Sequence, residues 1–431
     1  MKLGFCPECT KNLDFLFDDK DKITIQKKKK FDCPNCGTPF LLTLTGIKKQ
    51  VINSEAVPPY HEISMGIEVE SFSINLANLE IRSMAPIYPK AGIEKDEQYI
   101  EDQTIGSEYN SGIYDSINEA YFRIKAGLRK YFVNIEEDEK YRIALLGSYS
   151  EAEDVAGVHY HIGFGKKRGI NSEEIKLIAP HIHQQIPFII AMTANSPIFN
   201  NNLTGNASNR YLHNHYQMFN SLSRISLPYL LENTTHYDEM YYSPPKDYKK
   251  PYTLEIRVTD STIPEYIVAG LFIVYISIVG ALKRKKLWDH FDMDEYQQDK
   301  WKIAQIGVRA PIRWDNILLS FPKYIDMFFN FYRAEIKESD VSQDILDVFR
   351  LAKKGWNMAD IVRTAYQKIQ LKFPKENNLE INKKFCFKYL KAQERNLNGE
   401  NLFSFARYLN IDLPNVDNII LGKGFRQKSP L

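Results

Sequence analysis

Cysteine is scarce: five residues in a chain of 431 do not make a disulfide scaffold. Charge of a single sign is also missing. Fifty-six basic residues face 54 acidic ones, a formal +2, so only local patches could draw the chain to nucleic acid or an anionic membrane. The opening residues, MKLGFCPECTKNLDF, lack the apolar core of a secretory signal. The longest apolar run, Tyr266 to Leu282, reaches about 17 residues, the lower limit for a membrane span. Gly270, Ser277 and Gly280 interrupt it, and Ser261, Thr262 and Pro264 form a helix start ahead of it, so it reads as a buried core helix. GxGxxG, Walker A and RNA-recognition signatures are absent, as are internal repeats and low-complexity segments. What remains is 44% hydrophobic and 26% charged, enough apolar material for a large core. The expected class is a soluble, cytoplasmic protein in a reducing compartment, with no membrane partner and nucleic acid disfavoured.

Four of the cysteines are grouped. Cys6-Pro-Glu-Cys9 and Cys33-Pro-Asn-Cys36-Gly37 are two Cys-Pro-x-Cys pairs with 23 residues between them, and Cys386 stands alone. Each pair forms a tight turn aiming two thiolates at one ion, and together they complete a closed tetrahedral site for structural Zn2+. A zinc ribbon is therefore expected over residues 1–50, with Ile23-Thr24-Ile25 as a strand and most of its stability coming from the metal. Lys27 to Lys30 are read as a connecting loop, either a solvated charged loop or a contact for phosphate or an acidic peptide.

Beyond residue 60, acids and histidines concentrate in strand-like segments. Ile63 to Ile74 alternates with period two, which puts Glu68 and Glu70 on one face, opposite Ile67 and Val69. Two carboxylates so placed repel each other unless a cation or basic group lies between them. Ile100 to Gly112 carries Asp102 and Glu108 around a turn. Gly157 to Gly165 alternates with His159 and His161 on one face, and Thr253 to Asp260 sets Glu255 and Arg257 on one face against Leu254, Ile256 and Val258. Oxygen donors with a histidine or two suit Mg2+ or Mn2+ serving a nucleotide.

At these segments the chain resembles the carboxylate–amine ligases and amidoligases of the glutamine synthetase-like superfamily, which includes glutamate–cysteine ligases. The order is the same: Glu-x-Glu strand, acidic turn, Gly-x-His-x-His strand, Asn-Ser-Pro segment, Glu-x-Arg strand. Ala194-Asn195-Ser196-Pro197, then Thr204-Gly205 and Arg210, match a similar run in those proteins, and Lys300-Trp301 to Gly307 is similar to a lysine–tryptophan segment in some of them. The resemblance spans roughly residues 60 to 310.

It implies an α+β fold: a curved antiparallel sheet with outer helices, ligands on its concave face, over residues 51–310. Outside the resemblance, residues 311–431 read as a mainly helical region from the apolar spacing of Ile345-Leu346-Val348-Phe349-Leu351 and Ile361-Val362-Ala365-Ile369. The resemblance implies that Glu68, Glu70, Glu108, His159 and Glu255 hold the divalent ions, that His161 and Arg257 lie against the ATP phosphates, and that Arg210 holds a substrate carboxylate. The acidic turn is compressed relative to glutamine synthetase and fits the amidoligase order, Asp then Glu. Asp102 and Glu151 are the candidates for the general base. The implied reaction joins a carboxylate to an amine through an acyl phosphate, using ATP and Mg2+ or Mn2+. Its partner is an amino acid, a peptide or a protein tail, and the family leaves room for a homo-oligomer.

Two other readings compete. A guanidino-kinase-like phosphotransferase would stop at a phosphoguanidine. A zinc-ribbon adaptor for nucleic acid or protein would carry an inactive core. The His181/His183 and His213/His215 pairs are read as surface or packing residues, because helical residues two apart do not share a face, although the second pair follows Arg210 closely enough to line an acceptor site.

Overall fold

The computed structural model describes residues 29–32, 39–43, 46–49, 62–81, 96–102, 105–130, 141–149, 155–165, 169–170, 172–213, 239–243, 252–283 and 292–422. Its first strands, β1 (Lys29–Asp32), β2 (Pro39–Thr43) and β3 (Gly46–Lys49), form a small antiparallel sheet in the order β1-β2-β3. Lys29 and Lys30 therefore belong to a strand rather than a loop, their backbones pairing with Leu42 and Leu41. The segment joining β1 to β2 contains Cys33 and Cys36. The four grouped cysteines and the Ile23–Ile25 strand lie outside the described residues, as do Glu151 and His215.

The main sheet is antiparallel and seven-stranded. β4 (Ile63–Asn75) is its long central strand, followed by the hairpin β5 (Gln98–Asp102) and β6 (Gly106–Asn110). α1 (Ile117–Lys130) leads to β7 (Tyr141–Ala144) and β8 (Gly157–Phe164). After α2 (Ser172–Thr193), the two-residue strands β9 (Ile198–Phe199) and β10 (Asn202–Leu203) and the short α3 (Asn209–His213) form one connection. β11 (Met240–Ser243) and β12 (Thr253–Asp260) complete the sheet, whose order is β11-β12-β8-β4-β6-β5 with β7 also on β4.

Alternation along β4 decides the two faces. Ile63, Met65, Ile67 and Val69 are buried on one side, while Glu68 and Glu70 occupy the other. Past Glu70 that second face carries Phe72 and Ile74, both fully buried, so the polar patch ends there. Helices cover the apolar face. Tyr160 on β8 reaches through to donate a 2.7 Å hydrogen bond to the Ile267 carbonyl of α4 (Pro264–Leu282). Pro at the first turn starts that helix, and every residue of it except Tyr275 is buried. It is long and apolar enough to cross a membrane, but its burial among α1, α2 and the sheet makes it the core helix expected from its glycines and serine.

The rest of the chain is mainly helical: α5 (Met293–Ile306), the hairpin β13 (Ile312–Trp314) and β14 (Ile317–Leu319), then α6 (Phe321–Phe331), α7 (Arg333–Glu338), α8 (Gln343–Lys353), α9 (Met358–Lys372), α10 (Asn378–Leu397) and α11 (Leu402–Tyr408). Its apolar side chains join the same hydrophobic cluster as the sheet. α10 fixes the β7 end directly: Tyr389 donates to the Leu145 carbonyl at 2.7 Å, and the Gln393 amide bonds both Ile143 O and Leu145 N at 2.8 Å.

At Gly270, α4 packs against the Tyr160 side chain of β8. A Cβ there would overlap the Tyr160 hydroxyl and crowd Thr193 on α2. Gly270→Ala is expected to cost about 1–3 kcal/mol through overpacking and to lower the thermal midpoint, read by circular dichroism; Gly205→Ala, which meets no atom within 4 Å, is the control.

Candidate active site

Strand register gathers the acids and histidines on the sheet face opposite Tyr160 and the core helix. Glu68 on β4 lies opposite His159 on β8 and Asn110 on β6, and Glu70 lies opposite Glu108. Glu255 on β12 lies opposite His161. Directly opposed residues share a face, so six acids and histidines from four distant segments meet because their strands are neighbours.

The His159 ring sits among three carboxylates. Its Nδ1 is 3.4 Å from Glu68 Oε2 and 3.4 Å from Glu255 Oε1, and its Nε2 is 3.6 Å from Glu70 Oε1. The Nε2 of His161 lies 3.3 Å from Glu68 Oε1, with its Nδ1 2.9 Å from the Thr253 hydroxyl. Arg257 pairs with Glu255. Glu70 accepts the backbone N–H of Gly157, and Glu108 accepts the Asn110 amide at 2.7 Å.

These groups set each other's charge. Burial alone would raise the Glu68 carboxyl, but the charge of His161, with hydrogen bonds from His159 and His161, holds it well below its ordinary range. Burial likewise opposes ionisation of Glu255, and His161, His159 and Arg257 reverse that to leave its pKa lowered. His161 is the counterpart: burial works against its charged form, yet Glu68 and then Glu255 raise it.

Glu68, His159 and Glu255 each place one ligand atom within 4.8 Å of the others, which fits a single cation held by two carboxylates and an imidazole. Of the five residues expected as ligands, Glu68, His159 and Glu255 form this group, while Glu70 lies on the Nε2 side of the His159 ring with Glu108 opposite it in register. Asp102 closes the β5–β6 hairpin, its backbone opposite Gly106.

A bulge separates the two halves of β12. Register runs regularly from Leu254 to Ile256, then shifts so that Thr259 pairs with Val158 and Asp260 with Gly157. Arg257 and Val258 together oppose His159, and the extra residue changes the strand's phase. Glu255 and Arg257 face the site from odd positions, and Asp260 reaches the same side from an even one.

Asp260 is the hub of the segment expected to hold substrate. It accepts from Asn195 N at 2.8 Å, Ser196 Oγ at 2.6 Å and Ser208 Oγ at 2.9 Å. Burial raises its pKa against these bonds and the nearby Arg210. Asn195 anchors the segment through Leu145 O and Ser261 O, and Asn209 ties Ser196 O to the Thr204 hydroxyl. The Asn-Ser-Pro run, Thr204 and Arg210 are therefore one hydrogen-bonded unit. Arg210 itself is only 1% exposed, its guanidinium lying flat on Gly157 and its Nη1 donating to Arg257 O at 3.2 Å.

A second buried network lies behind β12. Lys300 pairs with Glu239, both fully buried, and Glu239 accepts from the hydroxyls of Tyr211 and Tyr296 at 2.8 Å each. Its backbone carbonyl takes the Arg257 N–H at 3.0 Å. No spacing in the sequence announces this pair; only the likeness of the Lys300-Trp301 segment touched it. His181 and His183 are buried packing residues, pushed down by desolvation to about 4 and about 3, and His213 stacks on Phe199 at 4.4 Å.

No family model and no curated protein matches the chain. Among solved structures, it is similar to the complex of the prokaryotic ubiquitin-like protein Pup with its ligase PafA, at 12% identity and a TM-score of 0.51, covering 84% of this chain and 81% of that one. It is also similar to a bifunctional glutathione synthetase from Pasteurella multocida (10%, TM-score 0.49, 81% of this chain) and to a glutamate–cysteine ligase from Francisella tularensis in complex with AMP (14%, TM-score 0.45, 81% of this chain and 97% of that one). The chain spans 56% of the length of that glutathione synthetase. At these identities the Pup ligase complex shows a shared fold.

The paired shifts set the pH behaviour. The raised His161 pKa contributes stability below its ordinary 6.5 that is lost as pH rises through the raised value. The lowered Glu68 and Glu255 pKa values contribute stability above 4.5 that is lost as pH falls through the lowered ones. In metal-free protein the thermal midpoint should therefore fall as pH is raised through the His161 titration, and His161→Gln should flatten that slope. Mn2+ binding followed by calorimetry should strengthen over the same range, because the ion and the imidazolium proton compete.

Proposed function

We propose that the chain is an ATP- and Mg2+-dependent (or Mn2+-dependent) ligase that joins a carboxylate to an amine through an acyl phosphate. The observation that carries this reading is the Glu68–His159–Glu255 group on the polar face of an antiparallel sheet, with Arg257 and His161 beside it.

A carboxylate is a poor electrophile at neutral pH. Transfer of the ATP γ-phosphoryl group to its oxygen gives an acyl phosphate and ADP; attack by an amine then forms the amide and releases phosphate. Divalent cations supply charge neutralisation at the phosphates when bound. Glu68, His159 and Glu255 would hold the first, and Glu70 with Glu108 would face a second. Arg257 and His161 offer fixed positive charge against the transferring phosphoryl group. Arg210 would take the substrate carboxylate, held in place by Gly157 beneath it and by the Asp260 hub. Asp102, at the hairpin end, is the proposed proton acceptor from the entering ammonium.

The proposed organisation is a zinc ribbon over 1–50, a ligase core over 51–310 and a helical region over 311–431 that builds onto the core. The resemblance of the fold to a ligase solved in complex with the protein Pup supports a peptide or protein tail as a substrate.

Phosphate release should require an acid and an amine together. Glu68→Gln or Glu255→Gln should lower it by about three orders of magnitude with the circular dichroism spectrum unchanged. Near-normal turnover in either variant would remove the metal assignment, and phosphoryl transfer without amide formation would make the protein a kinase. Cys33→Ser should abolish zinc content, measured by elemental analysis, while ATP binding persists.

A further inference from the structure

We propose that the α9–α10 hairpin is a docking surface for an acidic polypeptide segment that carries apolar side chains. The chain as a whole is nearly neutral, at +2, yet between Lys368 and Lys391 it holds seven lysines and two glutamates. Lys383 and Lys384 pair with Glu380 and Glu376 at 3.3 Å. Lys368, Lys372, Lys388 and Lys391 have no carboxylate partner among the described residues, and Lys368 is held only by the Asn410 carbonyl at 2.6 Å.

Helical spacing turns these residues into two facing ladders. Lys368 and Lys372 are four apart on α9, and Lys384, Lys388 and Lys391 follow one another on a face of α10. The ladders converge: both Lys372 and Lys384 sit over the Phe373 ring, at 5.4 and 4.9 Å. Burial, then Lys372 and Lys368, push the Lys388 ammonium below its ordinary value, the signature of like charges held together. Such a cluster lowers its energy by taking up anions.

Apolar groups interleave with the charges. Leu371 is 81% exposed and Phe387 44% exposed, each adjacent to a ladder lysine. They select the class of anion. A nucleic acid would stack bases on open aromatic faces, but Phe373 is covered by two lysines and Lys391 lies over Phe387 at 4.3 Å. Leu371 is aliphatic and offers nothing to a base. A peptide with alternating acidic and aliphatic residues satisfies the lysines and covers Leu371 at once.

The same hairpin grips the connection that carries Arg210. Arg363 donates to Asn206 O at 3.0 Å and Gly205 O at 3.3 Å, and Asn378 and Asn382 bond Asn202 and Asn201 at 2.6 and 2.7 Å. A docked segment would thus be tethered beside the substrate loop; that purpose rests on the ligase reading, while the binding does not.

The test is fluorescence anisotropy with the full chain and no ATP, using a labelled peptide of repeated Glu-Glu-Leu and, separately, a single-stranded oligonucleotide. The peptide should bind and weaken with salt. Lys372→Glu with Lys388→Glu should weaken it by about tenfold, Leu371→Ser by about threefold, and Lys323→Glu on α6, of equal charge change per site, should have no effect. If the double variant melts in circular dichroism, Lys372→Gln with Lys388→Gln carries the same expectation at about threefold. Equal affinity across all variants overturns the proposal, as does tighter binding of the oligonucleotide with loss in the same double variant. A chain without ligase activity that still bound the peptide through these lysines would overturn the reading of the active site and leave this one standing.

Discussion

An imidazole set among carboxylates is the constraint around which the sheet is organised. Glu68, Glu70 and Glu255 approach the His159 ring from three sides. Like charges this close and this buried are tolerated only where positive charge is interposed. His161, brought in by the neighbouring strand, and Arg257, two residues from Glu255 on its own strand, supply it. The central position of β4, between β8 and β6, follows from the same demand: the strand with two acids needs a histidine strand on one side and can carry Glu108 on the other.

Around this polar face the rest of the molecule supplies rigidity. α4 and α2 close the apolar side, and Phe72 and Ile74 end the patch. The Asp260 hub and the Glu239–Lys300 pair hold the two arginines from different directions, one through Ser196 and the backbone of Arg210, the other through the backbone of Arg257. Both are buried ionic groups with their acceptors filled, a state that favours one geometry over its neighbours more than it favours stability.

Much of this was legible in the sequence. Period-two alternation marked β4, β8 and β12 within a residue of their ends, and Pro264 marked the start of the core helix. The acids and histidines were readable because strand alternation reports a face directly. Strand order was not, since nothing local in Glu68 or His159 says which strands are neighbours. The Asp260 hub escaped because a bulge shifts its phase by one residue, and alternation read straight through Thr253 to Asp260 assigns it to the wrong side. Glu239 and Lys300 escaped because their pairing depends on tertiary packing between the residue that precedes β11 and α5.

The bulge in β12 makes one strand serve two masters. Its first half is keyed to the acidic face around His159 and its second half to the loop that carries Arg210, with a single surplus residue converting one phase into the other. Removing that residue would leave every side chain present and the strand still paired. It would nevertheless turn Asp260 away from Ser196 and Ser208, or Glu255 away from His159, depending on which half kept its register. Lengths between Glu255 and Asp260 are thus as constrained as the residues themselves, and chimeras that exchange segments of related sheets would have to cross over outside this strand.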